Sequence, residues 1–178
     1  FGDDPVAVVS PDLGGAKRAE LFREELQVVL KRQVARGFMD KQRSMGVVSG
    51  DLFAGDVAER HVVLVDDLIA SGTTMARVAA ACRERGARSV SLVATHGLFS
   101  EGSSDALAGG HITRIVVSDS VSPPALQGAG RERLPLVHRT VLCPGRRHDP
   151  QPLPSRMRRT ASSLPARSAC RAAILSGV

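Results

Sequence analysis

Two adjacent carboxylates followed by a turn rich in hydroxyls give this sequence its clearest chemistry. In VVLVDDLIASGTT, residues 62–74, the acids are Asp66 and Asp67, and the turn holds Ala70, Ser71, Gly72, Thr73 and Thr74. A helical pattern follows at 75–85, so the N–H groups of the turn can converge on an anion at a helix N-terminus, helped by three hydroxyls. Gly72 lets the backbone approach closely. Carboxylates suit sugar hydroxyls and the turn suits a phosphate. The pair therefore points to a ribose 5-phosphate group. The plainer alternative, a Ser/Thr-capped helix after a buried strand, accounts for neither the paired acids nor three hydroxyls around one glycine.

The elements that must position these residues are legible in the apolar pattern. Val62, Val63, Leu64 and Val65 form a continuous run, as in a strand buried on both faces of a parallel sheet, with Asp66 and Asp67 expected to end it. Ligands of open α/β sheets bind beyond the carboxyl ends of such strands. Residues 6–9 and 90–94 read as further buried strands, and residues 16–32 as a helix with Ala19, Phe22, Leu26, Val29 and Leu30 on its core face. The helix at 75–85 buries Met75, Val78, Ala79 and Cys82 and is closed by Gly86. Cys82 is thus a core residue, not a nucleophile. Alternation of strand, turn and helix implies right-handed parallel crossovers and a three-layer α/β domain. Asp12, in the turn after the first strand, reads equally as a helix cap or turn former. His96 lies at another strand end, where backbone hydrogen bonds can satisfy it, and is not a catalytic candidate.

Composition narrows the classes. The chain has 178 residues and 43% apolar content, enough for one domain with a real core. No apolar run approaches the ~20 residues that cross a bilayer, and no signal-peptide pattern is present. Three widely spaced cysteines, Cys82, Cys143 and Cys170, fit neither a disulfide framework nor a zinc site, so a cytoplasmic setting is expected. The net charge of +6 is uneven. Residues 1–138 carry 16 basic and 17 acidic side chains, whereas 139–178 carry eight arginines against Asp149 alone. With no Tyr or Trp and no Phe in that tail, specific nucleic-acid binding is not expected.

Five segments together resemble the second domain of the ribose-phosphate diphosphokinases, also called phosphoribosyl diphosphate synthetases. They are SPDLGGAKRA at 10–19, MDKQRSMGVVSGDLFAGDV at 39–57, VDDLIASGTT at 65–74, ATHGLFSEGSSDAL at 94–107 and VVSDSV at 116–121. The resemblance implies a phosphoribosyltransferase-like domain with a mainly parallel sheet. It also implies transfer of a diphosphoryl group from ATP to ribose 5-phosphate, giving phosphoribosyl diphosphate and AMP for nucleotide synthesis. It carries Mg²⁺ to Asp12, catalytic roles to Lys41 and Arg43 on a mobile loop, and ribose 5-phosphate to Asp66, Asp67 and residues 70–74. A homo-oligomer is implied too. Family members contain two similar domains, and the residues that hold ATP, with a magnesium-binding histidine, lie largely in the first. The present sequence matches the second and resembles a fragment.

Departures from the family pattern are specific. Where the family commonly has DTGGT, this chain has Ala70 in place of the acid and Thr73 in place of a glycine. The interval from Asp12 to Lys41 is a few residues longer than usual. Two alternatives differ in class: a phosphoribosyltransferase consuming phosphoribosyl diphosphate, which does not share SPDLGG and DKQRS as a set, and a non-catalytic regulatory homologue that binds ribose phosphate. The division expected is an α/β domain over 1–137 and a basic Pro/Arg-rich tail over 138–178 with little fixed structure. An out-of-frame reading of a GC-rich coding sequence would give such a tail; sequencing the locus and its transcript tests that origin, and an intact frame with no alternative ending would remove it.

Overall fold

A computed structural model describes residues 1–44, 47–121 and 136–140, with side chains described for 1–39 and 52–121. The elements follow in the order β1 (Val6–Ser10), α1 (Ala16–Leu30), β2 (Ala35–Ser44), β3 (Val47–Gly55), β4 (His61–Ile69), α2 (Thr73–Glu84), β5 (Ser89–Gly97), α3 (Ser103–Leu107), β6 (Arg114–Ser118) and β7 (Leu136–Thr140). Among the described residues the strands form one seven-stranded sheet in the order β3-β2-β1-β4-β5-β6-β7. Every neighbouring pair is parallel except β2 with β3. The expected α/β class and mainly parallel sheet are therefore observed.

Alternation along the strands divides the core in two. Val6, Val8, Val63, Val65, Val93 and Val116 pack with Ala19 and Leu26 of α1. Their neighbours Ala7, Val9, Val62, Leu64, Val90, Leu92, Ile115 and Val117 face the other way, against Met75, Val78, Ala79 and Cys82 of α2 and Leu107 of α3. Successive side chains of a strand point to opposite faces, so a continuous apolar run fills both layers at once. The three layers are α1, the sheet, and α2 with α3. Each fully buried valine contributes up to about 1.5–3 kcal/mol on this account.

Several boundaries differ from expectation. The first helix stops at Leu30, where Lys31 turns left-handed with φ 53°. Val29 is 38% exposed instead of buried, because at 100° per residue it lies about 60° round the helix from Leu26, on the flank of a narrow contact face. Asp66 and Asp67 do not end their strand: β4 runs on to Ile69, held by β5 through Leu68 opposite His96 and Ile69 opposite Gly97. Within the segment 39–57, expected to contain a loop, β2 runs on to Ser44 and pairs antiparallel with β3, with Lys41 opposite Asp51 and Arg43 opposite Val48. Strand β7 carries the sheet to Thr140, beyond the boundary expected at 137, and the remainder of the expected tail lies outside the described residues.

The α2 core face is as expected. Gly86, at φ 85°, follows the helix, and the N–H of Ala87 reaches back to the Cys82 carbonyl. Burial pushes the Cys82 thiol up to about 12. A chain with Cys143 and Cys170 changed to Ser should therefore leave Cys82 unreactive toward a disulfide reagent near pH 8 until denaturant is added. Prompt reaction in the native chain would contradict its core position.

Candidate functional site

Chain direction creates a crevice at one edge of the sheet. From β1 the chain crosses through α1 to β2 on one side, and the later crossover from β4 through α2 runs along the opposite face to β5 on the other side. Strands β1 and β4 are adjacent and parallel, so the loops leaving their carboxyl ends diverge and leave an opening between them. The turn containing Asp12 and the loop from Asp66 to Thr74 are those two loops.

The β1–α1 turn is fixed by short hydrogen bonds. Asp12 Oδ1 accepts from the Gly15 N–H at 2.8 Å, and the Ser10 hydroxyl donates to the Asp12 carbonyl at 2.7 Å. Asp12 thus forms the turn ahead of α1 and remains exposed. Its second carboxylate oxygen has no bond among the described residues. One hard oxygen at a loop suits an ion that arrives on a phosphate and keeps most of its waters. No cluster of three potential metal ligands occurs among the described residues.

The β4–α2 loop enters its helix through a left-handed glycine. Helix α2 begins at Thr73 after Gly72, whose φ of 76° only glycine adopts easily, and no side chain caps it. Ser71 and Thr73 bond to each other at 2.9 Å and stay exposed. The first-turn N–H groups lack helical partners, and that of Thr73 is only 3.5 Å from Ser71 Oγ, a long bond that an anion can replace. Support comes from the ATHGLFS segment. Leu98 and Phe99 donate their N–H groups to the Ile69 carbonyl at 2.9 and 3.1 Å, and Ser100 donates to the Ala70 carbonyl at 3.1 Å. A Cβ built on Gly72 would lie 2.7–3.0 Å from the Leu107 side chain. Gly72 is therefore needed for close packing beneath the loop as well as for approach from above.

At the other end of the loop, Arg18 of α1 grips both acids. Its Nη1 donates to Asp66 Oδ1 and its Nη2 to Asp67 Oδ2, each at 2.9 Å. Burial holds the Asp66 carboxyl above the usual carboxylate range; the Asp67 charge adds to this, while the Asp67 N–H and Arg18 partly offset it. The side chains of Arg18, Asp66 and Asp67 are 38%, 22% and 60% exposed. Ion pairs this wet contribute about 0–1 kcal/mol to stability. Arg18 was missed by sequence reasoning, although it stands inside SPDLGGAKRA, one helical turn past Gly15.

The hairpin completes the edge. Pairing of β1 with β2 ends at Ser10 opposite Phe38, and β2 continues to Ser44. At about 3.3 Å per residue, Lys41 stands about 10 Å beyond the end of β1. The backbones of Lys41 and Arg43 are thus on an arm rising from the same edge as Asp12 and Asp66; their side chains lie outside the described residues. Close pairing at the base of the arm depends on Gly55, where a Cβ would come within 2.6 Å of the Arg36 carbonyl oxygen. His96 also reaches this edge, but its Nδ1 is bonded to the Ser120 hydroxyl at 2.7 Å, in keeping with a satisfied histidine.

Comparison with known proteins gives the same picture. The phosphoribosyl synthetase-associated domain family matches residues 27–137. A ribose-phosphate pyrophosphokinase of Vibrio parahaemolyticus is 39% identical over 121 residues, covering 67% of this chain and 37% of the relative. One from Haemophilus influenzae is 38% identical over 115 residues, covering 64% and 35%. The crystal structure of phosphoribosylpyrophosphate synthetase from Mycobacterium smegmatis superposes with a TM-score of 0.63 at 29% identity, covering 79% of this chain and 42% of that one. The chain spans a little over a third of the length of these curated relatives.

Proposed function

The chain belongs to the phosphoribosyl synthetase-associated domain family, and from that premise we propose that it is the ribose-phosphate-binding part of a ribose-phosphate diphosphokinase. The observation that carries this reading is the meeting of three loops at one sheet edge: the Asp12 turn, the hairpin arm with Lys41 and Arg43, and the loop from Asp66 to Thr74. In the reaction, the anomeric hydroxyl oxygen of ribose 5-phosphate attacks the β-phosphorus of ATP. The bond to the oxygen bridging to the α-phosphate breaks, AMP departs, and the hydroxyl proton passes to solvent.

Each residue then has a role that its chemistry supports. Asp66 and Asp67 accept from the ribose hydroxyls, and Ala70, Ser71, Gly72, Thr73 and Thr74 surround the 5-phosphate. Lys41 is a point charge for the transferring group, and Arg43 offers a planar fork to phosphate oxygens. Asp12 would hold Mg²⁺, which when bound neutralises phosphate charge. The barrier to such a transfer is mainly alignment and charge, so these groups need supply no covalent chemistry. The same reading carries ATP as second substrate, held largely by a further domain, and a cytoplasmic homo-oligomer serving nucleotide synthesis. Among the described residues, no helix is long and apolar enough to cross a membrane. It also treats 1–137 as the binding domain and 138–178 as an accessory tail, although β7 spans that division.

Binding is the direct test. Ribose 5-phosphate should bind the chain in titration calorimetry, and Asp66→Asn should weaken it about 10- to 100-fold, the cost of losing a hydrogen bond to a charged acceptor. The circular dichroism spectrum should be unchanged, since Asn keeps the side-chain volume. Equal affinity in the variant would sink the assignment of the acids to ribose.

A further inference from the structure

We propose that Arg18 is a positioning residue for the sugar end of this site, turning two neighbouring acids into a receptor for a vicinal cis-diol. The inference rests on the ribose-phosphate reading above. Adjacent residues of a strand ordinarily point to opposite faces, so Asp66 and Asp67 can serve one ligand only if their carboxylates are drawn together. Arg18 does this with a single guanidinium, one Nη to each acid at the same 2.9 Å. A planar fork fixes the two carboxylates relative to each other, which an ammonium cannot do.

Hydrogen-bond accounting shows what is left over. Asp66 Oδ1 is filled by Arg18 and by the Asp67 N–H at 2.8 Å, and Asp67 Oδ2 is filled by Arg18. Among the described residues no N–H donor reaches Asp66 Oδ2 or Asp67 Oδ1, although the two carboxyl groups lie close enough to share a proton when one is protonated. One free oxygen on each acid matches two adjacent hydroxyls, each needing one acceptor. A Cβ on Gly15 would lie 2.7 Å from Ser10 Oγ and 3.3 Å from Arg18 Nη1, so Gly15 leaves room for both side chains. The hydrogen bonds of Arg18 go to the two acids, with none to residues 70–74 among the described residues, so its effect should fall on the sugar alone.

The test compares the whole chain with Arg18→Ala and Arg18→Lys, using ribose 5-phosphate, 2-deoxyribose 5-phosphate and inorganic phosphate as ligands in calorimetry. The unchanged chain should prefer ribose 5-phosphate to its 2-deoxy form by about tenfold, as expected for one hydrogen bond to a charged acceptor. Arg18→Ala should bind the two sugars within about twofold of each other while its affinity for inorganic phosphate stays the same. Arg18→Lys, which keeps the charge and loses the fork, should regain little of the preference. A preference retained in Arg18→Ala, or fully restored in Arg18→Lys, would overturn the proposal. So would an equal loss for all three ligands, which marks a structural role. An unchanged chain that bound no ribose 5-phosphate would instead remove the ribose-phosphate reading itself, and this inference with it.

Discussion

The 178-residue chain alone should release no AMP from ATP in the presence of ribose 5-phosphate, and the same residues should become active when an N-terminal domain of the family is joined ahead of Phe1. Diphosphoryl transfer needs attacking oxygen, β-phosphorus and leaving oxygen held in line, and about 7–11 kcal/mol of barrier reduction comes from such positioning. On the function proposed above, the crevice between the β1 and β4 loops would hold one of the two substrates. In the extended chain, Lys41→Ala should lower turnover by about a hundredfold or more, with little change in ribose 5-phosphate affinity, because its charge acts mainly on the transferring group. AMP release by chain, extended chain and variant decides the matter. Robust turnover by the chain alone would refute the missing-half argument, and an undiminished Lys41→Ala rate would refute the role given to that lysine.

How much of this was legible in the sequence depends on the range of the interaction. Strands β1, β4 and β5 and the α2 core face follow from local pattern, because a continuous β-branched run and a helical repeat each encode burial directly. The strand ends were read short for a physical reason. Asp66, Asp67, Thr95 and His96 look like loop residues by polarity, yet β4 and β5 support each other through Ile69 and Gly97, a pairing invisible to either segment alone. The hairpin was hidden by Gly46, Ser49, Gly50 and Gly55, which read as loop composition but include a glycine required for close strand approach. Strand β7 was missed because it is a short run that acquires its partner, β6, only in the sheet.

The site was legible by type and not by contact. Asp66, Asp67 and the hydroxyl-rich turn stand out through residue chemistry and spacing, and Asp12 only through the family resemblance, whereas the arginine that bonds both acids belongs to a helix and lies 48 positions from Asp66. Likewise the support of the phosphate loop by Leu98, Phe99 and Ser100 uses backbone N–H groups, which every sequence contains. What turns a motif into a site here is the crossover topology. Reversing the side of the sheet at β1 and β4 brings segments that are distant in sequence to one opening, and the backbone direction then decides which ends face it.

Gly72 is where loop and core meet, and Gly72→Ala should cost about 2–5 kcal/mol of folding stability in urea titration as well as most of the ribose 5-phosphate affinity. Two costs combine. A φ of 76° disfavours any residue with a Cβ by about 1–2 kcal/mol, and the added carbon would sit within 3.0 Å of three Leu107 atoms, an overpacking worth about 1–3 kcal/mol. Relief of the second cost is separable: Leu107→Ala opens the space, so the double variant should be about 1–2 kcal/mol more stable than the sum of the single effects predicts. Binding needs its own control, because a strained loop weakens a ligand without touching it. Ser71→Ala supplies it, since Ser71 is exposed and, among the described residues, its hydroxyl bonds only to Thr73; this variant should keep its stability within about 0.5 kcal/mol and still lose affinity for both ribose 5-phosphate and inorganic phosphate. Loss in Gly72→Ala with full binding in Ser71→Ala would mean that the hydroxyls are not used. Unchanged stability and binding in both would show that this loop neither packs on Leu107 nor holds a phosphate.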